Sequence, residues 1–307
     1  MKRRFFICIL LVLALSTSVV ADTIRWVDFS VPYGSLKYAM DQDIVTAEQE
    51  NHISWIQILS LAACRTGGKC PLSSVKKAFT QLKNGGNPKD LAGDLGKYYD
   101  YYFESFTAAL GGLLGNFAIE VNGQWKSAYG LKAFSPIAAG YGYSHCSDFG
   151  ASRSFGFQRK HLGNDLMGSL GTPIVAVEGG YVESMGWNRY GGWRVGIRSF
   201  DGKRYYYYAH LQKDKPFAPG LQEGDIVNGG DLIGFMGRTG YSDRENTNNI
   251  ETVHLHFGME LIFDESQKEC LSEIWIDVYD IVRLLSSHRS TIKYQDGVWK
   301  RGYPYGD

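Results

Sequence analysis

The feature that most restricts the fold is a series of short apolar segments separated by turn-forming residues, from about residue 119 to 263. Segments 194–200 and 204–208 flank Asp201-Gly202, which is a strong signal for a β-hairpin. Further strands are predicted at 174–177, 181–184, 224–227 and 231–234, with the first two joined as a hairpin. Many short strands with regular turns are typical of a mostly antiparallel β domain.

The region before this one has the periodicity of helices. Within residues 73–82, apolar side chains recur at the i, i+3, i+4 and i+7 spacing of one helical face. Helices are also predicted at 51–63, at 91–110 and, after the β region, at 274–285. The predicted fold class is therefore α+β, with a mostly helical N-terminal domain preceding an antiparallel β-sheet domain.

The N-terminus has the pattern of an export signal. Lys2-Arg3-Arg4 precedes an apolar run over residues 5–15, and small residues lead up to Ala21, after which cleavage is expected. The run is shorter than the roughly twenty apolar residues that span a membrane. An uncleaved membrane anchor through residues 5–20 is the alternative. In both cases the chain would work outside the cytoplasm, as a secreted, periplasmic or cell-wall-associated protein.

Changes in sequence pattern predict four parts of the chain. These are a signal peptide or anchor at 1–21, a helical domain of open role at 22–118, a β domain at 119–265, and a C-terminal helix with an irregular tail at 266–307. Without Lys2, Arg3 and Arg4, the 32 basic residues fall to 29 against 32 acidic ones, a net charge of −3. No basic patch stands out, which argues against nucleic acid as a partner. The oligomeric state stays open.

Four cysteines follow the leader and allow three pairings: Cys64, Cys70, Cys146 and Cys270. Cys64 and Cys70 flank a flexible loop that a disulfide could close. Free buried thiols are the alternative, and the sequence leaves both open.

Five side chains with metal-binding or acid–base chemistry occur in three short motifs of the β region. They are His161 and Asp165 in HLGND, His210 in YAHL, and His254 and His256 in HLH. Residues i and i+2 of a strand project from the same face, so the last two histidines can reach one site. Catalytic zinc takes three protein ligands of these types and leaves a fourth position for water. The motifs therefore indicate a zinc site.

In this order and spacing, the three motifs resemble the M23 family, the lysostaphin/LytM-type zinc metallopeptidases that cut peptidoglycan cross-links or stem peptides. Smaller segments also resemble that family, at 147–153, 171–176, 224–227, 230–234 and 237–240. The resemblance covers about residues 130–263, which is under half of the chain. It implies a peptidase domain in which an antiparallel sheet carries a narrow substrate groove.

The resemblance also implies the role of each residue. His161, Asp165 and His256 would hold zinc, and His210 and His254 would be catalytic histidines that do not bind it. Zinc can acidify a bound water, and a nearby histidine can take that proton near neutral pH. Zinc and the second histidine can stabilise the oxyanion that attack on the carbonyl creates.

Other residues have simpler interpretations. His52 and His288 are expected to be structural or exposed. His145-Cys146 could form a second metal site only with further ligands.

Tyr206 and Tyr208 would share a strand face with His210, so they could line the cleft. Core packing of the opposite pair, Tyr205 and Tyr207, is at least as good an interpretation as function. Residues 241–253 form a loop that is long for a compact family member, and we expect it to form a wall of the groove.

The sequence therefore predicts an exported zinc-dependent endopeptidase that hydrolyses amide bonds of bacterial peptidoglycan by metal-activated water. The first alternative is a catalytically idle domain of the same fold that acts as a wall-binding scaffold or activator. The complete ligand set argues against it. The second alternative is a metallopeptidase that acts on proteins rather than on the wall.

Overall fold

The computed structural model describes residues 24–268, 272–302 and 305–306. The predicted leader and Cys270 lie outside the described residues. The α-helices of the described part are α1 (Tyr33–Thr46), α2 (Trp55–Thr66), α3 (Leu72–Lys83), α4 (Pro88–Ala92), α5 (Gly96–Leu110) and α6 (Tyr279–Leu285). Its strands are β1 (Leu114–Val121), β2 (Gln124–Leu131), β3 (Ser144–His145), β4 (Ser152–Phe155), β5 (Phe157–Lys160), β6 (Asn164–Met167), β7 (Pro173–Val175), β8 (Gly180–Asn188), β9 (Gly192–Ser199), β10 (Arg204–Ala209), β11 (Ile226–Val227), β12 (Leu232–Phe235), β13 (His254–Leu261), β14 (Ile274–Ile276), β15 (Ile292–Gln295), β16 (Val298–Arg301) and β17 (Tyr305–Gly306).

The N-terminal part is helical, as predicted. The helix predicted at 73–82 is α3, and its predicted apolar face is buried. The helix predicted at 51–63 begins later, because Ser54 caps α2 and Gln57 completes a capping box with it. The stripe predicted at 91–110 is interrupted by a short 3-10 turn at Gly93–Leu95, so α4 and α5 are separate helices.

The main sheet is antiparallel and carries most of the predicted strands. Its order is β11-β8-β9-β10-β13-β6-β3, with β14 paired to β13 beyond the end of β6. The hairpin predicted around Asp201-Gly202 is the β9–β10 pair. The fold is thus α+β with an antiparallel β domain after a helical N-terminal part, which confirms the predicted class.

One predicted local pairing is wrong. Residues 174–177 and 181–184 do not form a hairpin, since β7 pairs with β12 whereas β8 pairs with β9 and β11. The backbone of Ala176 forms hydrogen bonds with residues 230–231 instead. The N–H of Gly230 donates to the carbonyl oxygen of Ala176 at 2.8 Å, and the N–H of Ala176 donates to the carbonyl oxygen of Asp231 at 2.9 Å. A partner distant in sequence therefore replaces the expected neighbour.

The C-terminal part also differs from its prediction. The helix predicted at 274–285 starts only at Tyr279, because Ile274 and Ile276 pair as β14 along the edge of β13. The tail is not irregular: β15 and β16 form a hairpin, and β17 pairs with β1. Strand β1 begins at Leu114, before the predicted boundary between residues 118 and 119, and β14 joins the main sheet from beyond the predicted boundary at residue 265. The proposed domain division stays a prediction.

One hydrophobic core links the helices to the sheet, and it includes Leu59, Phe106, Tyr208 and Val282. Among the described residues, Cys64, Cys70 and Cys146 are free thiols, which matches the second of the two cysteine interpretations. Within the same residues, every helix is too short or too polar to cross a bilayer.

Candidate metal centre

Three side chains from separate positions converge on one point of the main sheet. Asp165 on β6 lies directly opposite His256 on β13 in the antiparallel register. His161 follows β5 and folds over this pair. Its Nε2 lies 2.7 Å from Nδ1 of His256 and 3.1 Å from Oδ1 of Asp165, and the remaining separation between His256 Nδ1 and Asp165 Oδ1 is 3.3 Å. The structure thus brings the three predicted ligands together.

The donor set fits a zinc ion. Zinc bonds of about 2.0–2.2 Å in tetrahedral geometry place neighbouring ligand atoms roughly 3.3 Å apart, close to the separations observed here. Two imidazole nitrogens 2.7 Å apart need a proton or a cation between them. Burial alone would raise the pKa of Asp165, but its hydrogen bonds to His161 and His256 hold that pKa well below its usual range. The carboxylate is therefore ionised and ready to bind a cation.

A glycine makes this convergence possible. A Cβ on Gly163 would lie 2.6 Å from the carbonyl oxygen of Phe257 and 2.8 Å from the ring of His256. Only a residue without a side chain lets the loop that carries His161 approach β13 so closely.

Asp148 and Arg153 support the ligands from behind, and the sequence did not reveal this role. His161 Nδ1 lies 3.1 Å from the carbonyl oxygen of Asp148, which leaves Nε2 of the neutral ring free to bind a metal. Asp148 Oδ1 accepts from the backbone N–H of Asp165 at 3.2 Å. Arg153 donates to Asp148 Oδ2 at 2.6 Å and to Asp165 Oδ2 at 3.2 Å. Segment 147–153 resembles the M23 family in sequence, but this resemblance gives no function to Asp148 or Arg153.

His210 and His254 lie beside the three ligands. Their ring centroids are 4.8 Å apart, and His210 lies 5.9 Å from the ring of His256. His210 Nδ1 is 2.9 Å from the carbonyl oxygen of Thr239, and His254 Nδ1 is 2.9 Å from that of Thr252. When each Nδ1–H donates to its carbonyl, each Nε2 is left as an acceptor. Burial, with smaller contributions from His254 and His256, lowers the pKa of His210 well below its usual value.

The strand face predicted for Tyr206 and Tyr208 is the core face. Both side chains are fully buried, whereas Tyr205 and Tyr207 line the groove. The alternation fails at His210 because its φ is +62°, and this left-handed backbone turns the chain after β10 ends.

The groove beside the metal centre encloses about 740 Å³. Tyr241, from the long loop at 241–253, contributes to its lining as predicted. Its ring lies 6.0 Å from that of His210.

The remaining histidines have structural partners. His52 binds the buried Asp43 at 2.7 Å. His288 Nδ1 lies 2.7 Å from the carbonyl oxygen of Ala133. His145 packs against Tyr279, and burial lowers its pKa to about 4. Among the described residues, it joins no group of three metal-ligand side chains.

Residues 159–268 match the model of Peptidase family M23. Over 124 residues the chain is 40% identical to the L-Ala--D-Glu endopeptidase of Bacillus subtilis (strain 168), covering 40% of this chain and 36% of that protein. Over 98 residues it is 36% identical to lysostaphin of Staphylococcus simulans, covering 32% and 17%. The matches thus span about a third or less of these relatives.

A crystal structure from Ruminococcus gnavus ATCC 29149, provisionally described as a glycyl-glycine endopeptidase lytM, superposes with a TM-score of 0.56. The match covers 87% of this chain and 92% of that chain at 24% identity. This likeness extends beyond residues 159–268 and shows a shared fold.

Proposed function

We propose that the chain is a zinc-dependent endopeptidase of peptidoglycan peptides, because residues 159–268 match the model of peptidase family M23, the family that the sequence motifs resemble. The observation that carries this proposal is the convergence of His161, Asp165 and His256, with His210 and His254 beside them. A scaffold domain would not need all five side chains in one place.

In the proposed reaction, zinc would be held by His161, Asp165 and His256, and it would supply a Lewis acid that also acidifies a water molecule. Asp148 and Arg153 keep the ligands in place through their hydrogen bonds. Nε2 of His254 or His210 can accept a proton from the attacking water, and an Nε2 that has become protonated can then donate to the developing oxyanion. The products are an amine and a carboxylic acid, with no covalent enzyme intermediate.

The substrate follows from the names of the relatives and from the shape of the site. One relative is named for cleavage between L-Ala and D-Glu, and another is lysostaphin. We infer that this chain also acts on peptides of the bacterial wall, and therefore outside the cytoplasm. An open groove along the sheet suits an extended peptide better than a compact ligand.

The test is mass spectrometry of fragments released from purified peptidoglycan and from defined muropeptides, with and without a chelator. We expect chelator-sensitive release of peptides with new amino termini. Protein that contains zinc but releases nothing would favour the scaffold alternative. Cleavage of a folded or Gly-rich protein substrate instead of muropeptides would favour the second alternative.

Single substitutions separate the two proposed classes of residue. His161→Ala should lose zinc and activity together, because it removes one of three ligands. His210→Ala or His254→Ala should keep most of the zinc while turnover falls by about 10²- to 10⁴-fold. Zinc content by atomic absorption and fragment release by chromatography measure both effects. Loss of zinc in His210→Ala with zinc retained in His256→Ala would reverse the assignment.

A further inference from the structure

The floor of the groove beyond the metal centre is formed by strands β9, β10 and β13. The register places Tyr207 opposite Gly196 on one side and opposite Gly258 on the other. Neighbouring rings fill the space above both glycines, since a Cβ on Gly196 would collide with the ring of Tyr205 and a Cβ on Gly258 with that of Trp275. The ring of Tyr207 lies 5.8 Å from that of His256, so this floor continues directly from the metal centre.

Two arginines line this part of the groove. Arg159 lies on β5, two residues before His161, and its guanidinium carbon is 4.8 Å from the ring centroid of Tyr190 and 5.1 Å from that of Tyr241. Stacking between the two rings holds the cation at the tip of the β8–β9 hairpin. Arg194 lies on β9 of the same hairpin, and its Nη1 donates to Ser184 Oγ at 2.7 Å.

Both guanidinium groups have donors without acceptors. Among the described residues, Nη1 of Arg159 and Nε of Arg194 are buried and make no hydrogen bond. Within the same residues, neither cation has a carboxylate within ion-pair distance, whereas Arg153 nearby binds two. Both side chains line the groove with their charge uncompensated within that part of the chain, so an anionic group of a bound ligand would gain an ion pair there.

Hydrogen bonds connect both cations to the tyrosines of the floor. Ser184 Oγ, which accepts from Arg194, lies 2.7 Å from the hydroxyl of Tyr205. Tyr190, on which Arg159 stacks, donates its N–H to Asn188 Oδ1 at 3.0 Å, and Asn188 Nδ2 donates to the hydroxyl of Tyr207 at 3.1 Å. Both cations therefore lie beside the groove floor.

The other end of the groove carries little net charge. Glu183, Glu260 and Glu273 line it together with one cation, Lys268, which pairs with Glu183, and burial raises the pKa of Glu260 to about 8, so this carboxyl is mostly uncharged at neutral pH. A peptide in the groove would thus meet unpaired positive charge next to the metal centre and nearly balanced charge farther away. This polarity favours one orientation of a charged peptide.

We propose that Arg159 and Arg194 bind a carboxylate of the substrate next to the scissile amide, so that the site selects acidic peptides over uncharged oligoglycine. The forked guanidinium matches the geometry of a carboxylate. This inference rests on the proposed function, because it assigns the substrate class of the same site.

The experiment uses the full chain and two peptides of identical sequence. One carries a free glutamate carboxyl beside the scissile bond, and in the other this carboxyl is an amide. We expect kcat/KM of the wild-type protein to favour the free carboxyl by about 10- to 100-fold, the effect of hydrogen bonds to a charged group. Arg159→Gln and Arg194→Gln should raise KM for the acidic peptide by a similar factor while changing the amidated peptide by less than about twofold.

Three controls keep the result interpretable. Arg159→Lys should recover part of the preference, since it keeps the charge but loses the fork. Lys213→Gln, which removes an exposed cation outside the groove lining, should change neither peptide. Zinc content and circular dichroism of each variant report on ligands and folding.

The outcomes distinguish the two proposals. Equal cleavage of both peptides, unchanged in the arginine variants, would overturn the carboxylate subsite and leave the peptidase proposal standing. Cleavage of neither peptide would contradict the peptidase proposal. Calorimetric binding of the same peptides to metal-free protein then tests the subsite independently: tighter binding of the acidic peptide, lost in Arg194→Gln, supports it, and equal binding overturns it.

Discussion

At the scale of single residues, Asp148 has no direct part in the chemistry but holds two of the ligands. Asp148→Ala removes the acceptor of the Asp165 N–H and the partner of Arg153. We expect zinc affinity to fall by about 10- to 100-fold, as for other outer partners of metal ligands. Competition with a fluorescent chelator measures this. Asp243→Ala, which removes an exposed partner of Arg189, is the matched control and should leave zinc affinity unchanged.

Glu260 makes a second prediction at this scale. Burial, reinforced by repulsion from Glu273, raises its pKa from 4.5 to about 8, against the opposing charges of Arg198 and Lys268. A carboxyl whose pKa is raised on folding stabilises the protein below its unfolded pKa, and this contribution is lost as the pH rises through the folded pKa. The wild-type protein should therefore lose stability between about pH 4.5 and pH 8.

Glu260→Gln removes this titration and should flatten the pH dependence. The three pH units between pH 5 and a pKa of about 8 correspond to roughly 4 kcal/mol, and solvent screening at the groove reduces the gain expected for the variant relative to the wild type between pH 5 and pH 9 to about 1–3 kcal/mol. Urea denaturation at both pH values measures the difference. Glu251→Gln, at an exposed position, is the control. Curves that stay parallel for Glu260→Gln and wild type would contradict the assignment.

Single residues also show how far the sequence could lead. The convergence of His161, Asp165 and His256 was predictable because their residue types and spacing are those that zinc sites use. The face of the tyrosines on β10 was not, because a left-handed residue at His210 breaks the alternation that the prediction used. The supporting role of Asp148 was hidden as well, since its carboxylate acts through Arg153 and the Asp165 N–H, which only the folded chain brings next to it.

At the scale of elements, the loop at 241–253 is held by one side chain. Asn246 Oδ1 accepts from Trp193 Nε1 and from the N–H of Asp214, both at 2.9 Å, and its Nδ2 donates to Asp214 Oδ1 at 2.6 Å. Asn246 also has a φ of +58°, which asparagine tolerates better than alanine. These contacts fix the wall of the groove that carries Tyr241.

Asn246→Ala should therefore loosen this wall. We expect a loss of about 1–3 kcal/mol in the free energy of unfolding and faster proteolytic cleavage within 241–253. Urea unfolding and limited proteolysis followed by mass spectrometry measure both. Glu245→Ala changes an exposed neighbour in the same loop and should have neither effect. Protection from proteolysis equal to wild type would show that other contacts hold the loop.

The helices and strands also show which parts of the fold local sequence patterns can predict. Helix α3 and the β9–β10 hairpin were predictable because their signals are periodicity and a short turn. The pairing of β7 with β12 and of β14 with β13 was not, because these partners lie far apart in sequence and are chosen by packing.

At the scale of the whole molecule, the helical part and the sheet are joined by a buried cation. Arg204 on β10 is fully buried and donates to the carbonyl oxygen of Ala108, near the end of α5, at 2.6 Å. It also binds both oxygens of Glu178, at 2.8 and 3.1 Å. A cation at the C-terminal end of a helix is favourable, and here it also satisfies terminal carbonyl groups. This guanidinium group therefore adds a polar link between α5 and the main sheet to the hydrophobic core that they share.

Arg204→Met should destabilise the protein by about 3–5 kcal/mol, because it leaves the carboxylate of Glu178 buried without its partner. The double variant Arg204→Met/Glu178→Gln should lose less than Arg204→Met alone, since the unpaired charge is gone. Lys37→Met, which breaks an exposed pair with Asp41, should cost less than about 1 kcal/mol. Urea unfolding of the four proteins measures these differences. A double variant at least as unstable as Arg204→Met would mean that the contacts of Arg204 to α5, rather than neutralisation of Glu178, hold the two parts together.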